Sequence, residues 1–369
     1  MGQGATNVMG RIASSIFQQG TVEISFQAVF DVPNGGVLFA LPALLATGLL
    51  TNIDKFFKIP LGYYGIESIF IFLAFMALSR VQSMEKLRYF PPGEWGKMLG
   101  LDRAPEVKTI REKINILANN QIFDWSRKLC SDWMKDVSDP LASFYIDGHV
   151  RIYYGSQTLL PRHYVSRQRL CLRATTDYWL NAGDGNPFLV ITKEVDPGLL
   201  KVLENDIIPV LEKEFPLKKT ELEDVSGVQI IKSRFVIVFD REGYSPESFL
   251  KMRVKHIACQ TYNKYPKENW PEEEFKECNV KLVCGEVVKM KIAERGTFLG
   301  GILWVREIRK ISPGGHQTSI VSTNYTSVAE IIASVMFARW SQENFFKYAR
   351  CLPDGLRKTS LNTLVKSMD

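Results

Sequence analysis

"FVIVFD" (residues 235–240), followed by "REGYSPESF" (241–249), decides how the chain is read. A short apolar run rich in Val and Ile predicts a strand buried on both faces. Ser245 and Pro246 after it predict the N-cap and first turn of a helix. Asp240 then closes a central strand at its carboxyl end, where open α/β sheets gather ligands and reacting groups. An Asp that merely opens a turn before a helix fits the same residues. Both readings stand until the neighbouring segments are placed.

Upstream, "ASFYIDGHVRIYYG" (142–155), "TTDYWLN" (175–181) and "FLVITKEV" (188–195) alternate like strands and are separated by Gly/Asn/Asp turns. "PGLLKVLENDIIPVLEKEF" (197–215) has helical apolar spacing, and a helix "SPESFLKMRVK" and a strand "HIACQTYN" (256–263) follow the central strand. Three strands, helix, strand, helix, strand make a mixed α/β layer. Next come an acidic connection, "KENWPEEEFKE", and alternating strands over about 279–324 that read as an antiparallel insertion. Ser327 and Glu330 have the spacing of a capping box opening a long helix through Arg350.

The first third reads as helical. A short helix around "EWGKMLG" (94–100) stops at Gly100, a Pro-containing turn follows, and "KTIREKINILA" (108–118) aligns Ile110, Ile114 and Leu117 on one face. This is helix, turn, helix. Lys108, Arg111 and Lys113 lie off the apolar stripe, as on a helix lying along a DNA groove, or simply as a solvated face. "GVLFALPALLATGLL" (36–50) and "GIESIFIFLAFMALS" (65–79) are each shorter than a membrane span, one contains Pro42 and the other Glu67, and both read as buried helices of a small bundle.

The 369 residues, 46% hydrophobic and 23% charged, suit a folded protein with a sizeable core. The net charge of +6 permits a polyanion partner without requiring one. Six cysteines without a C-x-x-C pair predict reduced thiols rather than a zinc site. The N-terminus lacks the pattern of a signal peptide. Gly2 with Thr6 fits a short myristoylation pattern that arises often by chance.

Asp147, in "SFYIDGHV", stands near the end of the first strand, and Asp240 ends a later strand of the same expected sheet. If the two strands are neighbours, two carboxylates emerge side by side, and a divalent cation is the usual reason to keep them there. On the last helix Val328, Ile332, Val335, Arg339, Glu343 and Phe346 step by three and four, which sets Arg339 and Glu343 in line with the apolar face. Arg339 and Glu343 can supply that site or pair with each other at i, i+4. Glu242 is too close in sequence to Asp240 to act as an independent third ligand, Glu286 lies in the insertion, and Glu330 is assigned to the cap.

This ordered set resembles the DDE transposases of bacterial insertion sequences. "RWSQENFFKYAR" (339–350) is similar to their signature, with Arg339, then Glu343 after three residues, then Arg350 after six more. Met336 stands where the signature has Tyr, and Arg350 where it has Lys, which keeps the charge but changes the phosphate geometry. "YIDGHVRIYYG", "LPRHYVSRQRLCLRATTDYWLN" and "VFDREGYSPESF" extend the resemblance over most of the chain, while the tail "CLPDGLRKTSLNTLVKSMD" departs from it.

The resemblance implies an α/β fold: a ribonuclease H-like mixed sheet with an antiparallel β insertion, preceded by an all-helical N-terminal domain. The expected divisions are a DNA-binding domain over 1–135 with its helix-turn-helix near 94–118, a catalytic core over 136–264 and 325–350, the insertion over 265–324, and a tail over 351–369. Asp147, Asp240 and Glu343 would hold two Mg2+ or Mn2+ ions that activate a water or a 3′-hydroxyl for in-line phosphodiester displacement. Arg339, Lys347 and Arg350 would hold the DNA backbone beside them, and the N-terminal helices, with Lys108, Arg111 and Lys113, would bind the element's ends. His149 is expected to support Asp147 from the same sheet face, and Trp304 either to wedge a DNA end or to pack in the core. The implied partners are double-stranded DNA, as transposon ends and target, and a second copy of the chain, with no membrane and a cytoplasmic, nucleoid-associated location. Hydrolysis without joining and a DNA-binding remnant without catalysis are the alternatives.

Overall fold

The computed structural model describes residues 9, 12, 13, 16, 22–26, 28–81, 83–135, 142–155, 158–165, 168–183, 185, 187–194, 196–217, 222–225, 228–282 and 285–337. They form two compact units, the first holding the chain up to Trp133 with Tyr153–Leu159, the second Met134–Ile152 and the chain from Leu160.

In the first unit a 3-10 turn, Gly35–Ala40, leads into α1 (Leu41–Ala46), α2 (Ile53–Phe56), α3 (Ile66–Leu78), α4 (Pro92–Met98), α5 (Val107–Ala118) and α6 (Ile122–Lys135), with a second 3-10 turn at Met84–Tyr89. The core is centred on α3, whose Ile69, Phe72, Phe75 and Met76 are wholly buried against Trp95, Ile110 and Ile114. The segment 36–50 differs from the expected buried helix. It forms a 3-10 turn and a six-residue helix without a buried residue, and Phe39 is 92% exposed. High hydropathy without periodicity could not tell a core helix from a peripheral one. No helix of the described residues is long and apolar enough to cross a membrane.

The expected helix, turn, helix is present as α4 and α5. Gly100 takes φ +66° just past α4, the left-handed position that ends helices. A Cβ on Gly96 would meet the Arg103 backbone at 2.5 Å, so glycine there is what lets the turn fold back on α4. Ile110, Ile114 and Leu117 of α5 are buried as their spacing predicts.

The second unit is a ten-stranded mixed sheet of β1 (Ser143–Ile152), β2 (Arg162–Val165), β3 (Leu170–Ala182), β4 (Pro187–Lys193), β7 (Phe235–Phe239), β8 (Ile257–Tyr262), β9 (Lys276–Lys281), β10 (Val287–Leu299), β11 (Leu303–Ile311) and β12 (Gln317–Ser322). Its order is β2-β3-β1-β7-β8-β12-β11-β10-β9, with β4 also on β3, and β5 (Leu222–Val225) and β6 (Val228–Ile231) form a separate hairpin. β1, β7 and β8 are parallel and central, and all five residues of β7 are buried, as the opening motif predicts. The antiparallel block after β8 extends the same sheet, β12 pairing directly with β8.

Helices cover both faces. On one lie α7, which runs Leu199–Val202, through a π turn at Leu203–Ile207, to Ile208–Glu214, and α8 (Pro246–Val254), with Phe249 against Phe239 and Phe215 against Phe144 and Phe235. On the other lies α9 (Ala329–Phe337), whose Ile332 and Met336 join Tyr145, Val236, Val238 and Ala258 in one apolar cluster. The start of α9 corrects the expected capping box. Asn324 Oδ1 accepts the Ser327 N–H (3.1 Å) that Glu330 would have capped, and Glu330 instead hydrogen-bonds the Cys278 thiol. An Asx turn has replaced the reciprocal cap.

Candidate active site

β1 and β7 pair in parallel with Ser143 opposite Val236 and Ile146 opposite Phe239. One further step of that register sets Asp147 level with Asp240, but Asp147 is the fifth of the ten residues of β1 and does not stand near the strand end as expected. β1 continues to Ile152 along β3 alone, so Asp147 is the first residue at which β1 leaves β7. The end of such a parallel pairing is where open α/β sheets place ligands and reacting groups. Asp240 ends the strand in extended conformation (φ −79°, ψ 175°), and its Oδ1 accepts the Arg241 N–H at 2.7 Å to start the 3-10 turn Arg241–Gly243. The turn-opening role is therefore real and coexists with the strand-end placement. Asp147 and Asp240 are both half-buried.

Period-two alternation puts Asp147 and Asp240 on the face of Tyr145 and Val238, which α9 covers. The Tyr145 hydroxyl donates to Val335 O (2.7 Å) and Gln260 Nε2 to Ile332 O (2.6 Å). Between Ile332 and Val335 the helix thus advances from β8 to β1, towards Asp147. Met336, wholly buried in the cluster with Tyr145, serves this packing. Glu343, Arg339, Lys347 and Arg350 lie beyond, outside the described residues. Among the described residues no three His, Cys, Asp or Glu side chains are placed to hold a metal ion. The two aspartates give hard oxygen donors suited to Mg2+ or Mn2+, and a complete ligand set needs a further group.

Two neighbouring constellations escaped sequence reasoning. On the Asp147 face, Asp177 of β3 is buried and held by Arg151 Nε at 3.0 Å, with the Thr192 hydroxyl donating at 2.7 Å. His149 stands directly opposite Asp177 in the β1–β3 register, on the same face as Asp147. On the other face, the Tyr178 ring lies 3.2 Å from where a Cβ on Gly148 would be, and its hydroxyl donates to Asp196. Asp196 also accepts the Gly198 N–H (2.9 Å), while the Glu242 carboxylate accepts the Leu199 N–H. These bonds tie β3, the start of α7 and the turn after Asp240 together beneath the two aspartates. Partial removal from water, then the charges of Asp196 and Asp240, raise the Glu242 carboxyl above its ordinary pKa, although its side chain keeps solvent access. Burial and the Asp196 bond likewise raise the Tyr178 phenol. A lone Asp inside the apolar strand "TTDYWLN" was the available signal for Asp177; the Asp196 link depends on register and left none.

The basic residues of α5 lie off the buried stripe as expected, and two of them already have partners. Arg111 pairs with Glu85, and Lys113 donates to Pro60 O (3.1 Å), its ammonium depressed chiefly by burial. Lys108 keeps a side chain 87% exposed, 4.0 Å from Glu112. Trp304 is neither core nor free: 43% exposed, it stacks on Tyr325 at 5.5 Å, and its indole lies against Gly296. Cys171, Cys259 and Cys278 are free thiols.

No curated protein matches this chain. A family model described as "Transposase protein" matches residues 2–353, nearly the whole length. The chain belongs to this transposase family, which makes it a nucleic-acid-processing protein with DNA as its partner.

Proposed function

We propose that the chain is a DDE-type transposase that cleaves phosphodiester bonds at transposon ends and transfers the freed strand to target DNA. One observation carries this proposal: the β1–β7 register, which aligns Asp147 with Asp240 where the two strands part. The order β4-β3-β1-β7-β8, with β3 antiparallel to β1 and β4, supports reading this part as a ribonuclease H-like core, with the β9–β12 edge as the proposed insertion. Glu343, on the segment following α9, is the proposed third carboxylate. Two divalent ions held there would supply Lewis-acid stabilisation to the oxygens exchanged at phosphorus. Asp147 and Asp240 enter the reaction already aligned by backbone pairing, so ordering them costs little when DNA arrives. Arg339, Lys347 and Arg350 are proposed to hold the phosphate backbone, and two copies of the chain to synapse the two ends.

The test is nicking and joining of DNA carrying the element's terminal repeats, with Mg2+ or Mn2+, by the wild type and Asp240→Asn. The proposal expects both activities in the wild type and neither in the variant, with DNA binding intact in both. Nicking without joining would mark a hydrolase. Specific binding without turnover in either protein would mark a DNA-binding remnant.

A further inference from the structure

In the first unit a cavity of about 350 Å³ opens between the 3-10 turn Met84–Tyr89, α4 and the start of α5. Its size suits one nucleotide rather than a bare phosphate. Phe90, Pro92 and Trp95 form an apolar wall, and Arg88, Arg103 and Lys108 supply three cations against one carboxylate, Glu106. Arg103 and Glu106 are 3.6 Å apart and both exposed, a weak pair that a phosphate could displace. The twelve-residue α5 begins at the same cavity, with no side-chain cap and no acidic residue in its first turn. Its leading N–H groups therefore remain open to an anion. Trp95, 1% exposed and held between Phe72 and Phe90, carries an indole N–H that finds no partner among the described residues.

We infer that this cavity receives one unpaired nucleotide of a DNA strand, with its base against the Phe90 and Pro92 wall and its phosphate at the start of α5 among Arg88, Arg103 and Lys108. The inference rests on DNA being the partner, as family membership implies, and not on the aspartate site. An aromatic and proline wall accepts any base, and the cations address the backbone, so the seat distinguishes unpaired from paired DNA rather than one sequence from another.

Fluorescence anisotropy tests it in metal-free buffer at one fixed salt concentration, using a labelled duplex that is either blunt or bears a short unpaired tail. The tailed duplex is expected to bind about tenfold tighter than the blunt one. Val107→Phe, which fills the cavity without changing charge, should abolish that preference. Arg88→Gln and Arg103→Gln, both at the surface, should reduce it with the fold unchanged by circular dichroism. Equal binding of the two duplexes by the wild type, or a preference that survives Val107→Phe in a folded variant, overturns the inference. So does displacement of the tail by a free deoxynucleoside monophosphate with the same sensitivity to the variants, which would assign the seat to free nucleotides. Asp240→Asn should keep the full preference, so failure here and failure of the catalytic proposal are read separately.

Discussion

Asp147 and Asp240 owe their adjacency to backbone, whereas Lys108, Arg111 and Lys113 sit on a helix surface whose other residues compete for them. Pairing of β1 with β7 sets the backbone positions of both carboxylates. On α5 three cations are dispersed: Arg111 goes to Glu85, Lys113 to a carbonyl, and Lys108 remains outward. Positions set by a ladder are fixed before a ligand arrives, whereas positions set by rotamers follow whichever neighbour competes best.

Breaking the sheet site should have the largest effect. Asp147→Asn is expected to lower metal-dependent cleavage by about 10³-fold, roughly 4 kcal/mol of barrier, while chemical denaturation stays within about 1 kcal/mol of wild type. A large loss of stability instead would mean that Asp147 is structural. Next is a charge of the same sheet that is buried as well as fixed. Arg309 is 1% exposed, donates to Glu307 (2.8 Å) and Glu268 O (2.8 Å), and lies 4.3 Å over the Trp270 ring. Arg309→Met strands Glu307 in the interior and should cost about 3 kcal/mol; a neutral result by urea denaturation would show that Glu307 finds another donor.

In the helical unit the contacts are smaller. Gly96→Ala should destabilise by about 2 kcal/mol, because its Cβ meets backbone rather than a movable side chain, and an unchanged melting curve would refute the close approach. Smallest, and most direct for the comparison, are the helix charges. Lys108→Ala should reduce the salt slope of DNA binding by about one with stability unchanged. Arg111→Ala should leave the slope and lose under about 1 kcal/mol of stability. Equal slopes for the two variants would mean that Arg111 abandons Glu85 when DNA binds.

The same distinction explains what could be read in advance. β7 and α3 were legible from their continuous apolar runs and the buried stripe of α5 from its periodicity, and Asp240 at the end of β7 followed; Asp147 instead stands in the middle of β1, which runs on to Ile152 along β3. Arg151 with Asp177 and Tyr178 with Asp196 were not legible, because such pairs exist only once strand register is known. Segment 36–50 misled because hydropathy measures what a residue prefers, not how deeply it lies: Val37, Leu38, Leu41 and Leu44 pack on the core only partly buried. The proposed cap at Ser327 had the right spacing but lost to Asn324, a nearer acceptor.

The strands after β8 have one more consequence. A core ending at β8 would leave a fully buried, apolar parallel strand as an open edge, a template on which another chain could add itself. Because β12, β11, β10 and β9 continue the ladder, the free edge moves to β9, a six-residue strand carrying Lys276, Glu277 and Lys281. Even this edge is partly shielded, since the Ser334 hydroxyl of α9 donates to Lys281 O at 2.6 Å. The added strands thus keep the apolar parallel strand β8 from presenting an open edge on which another chain could add itself.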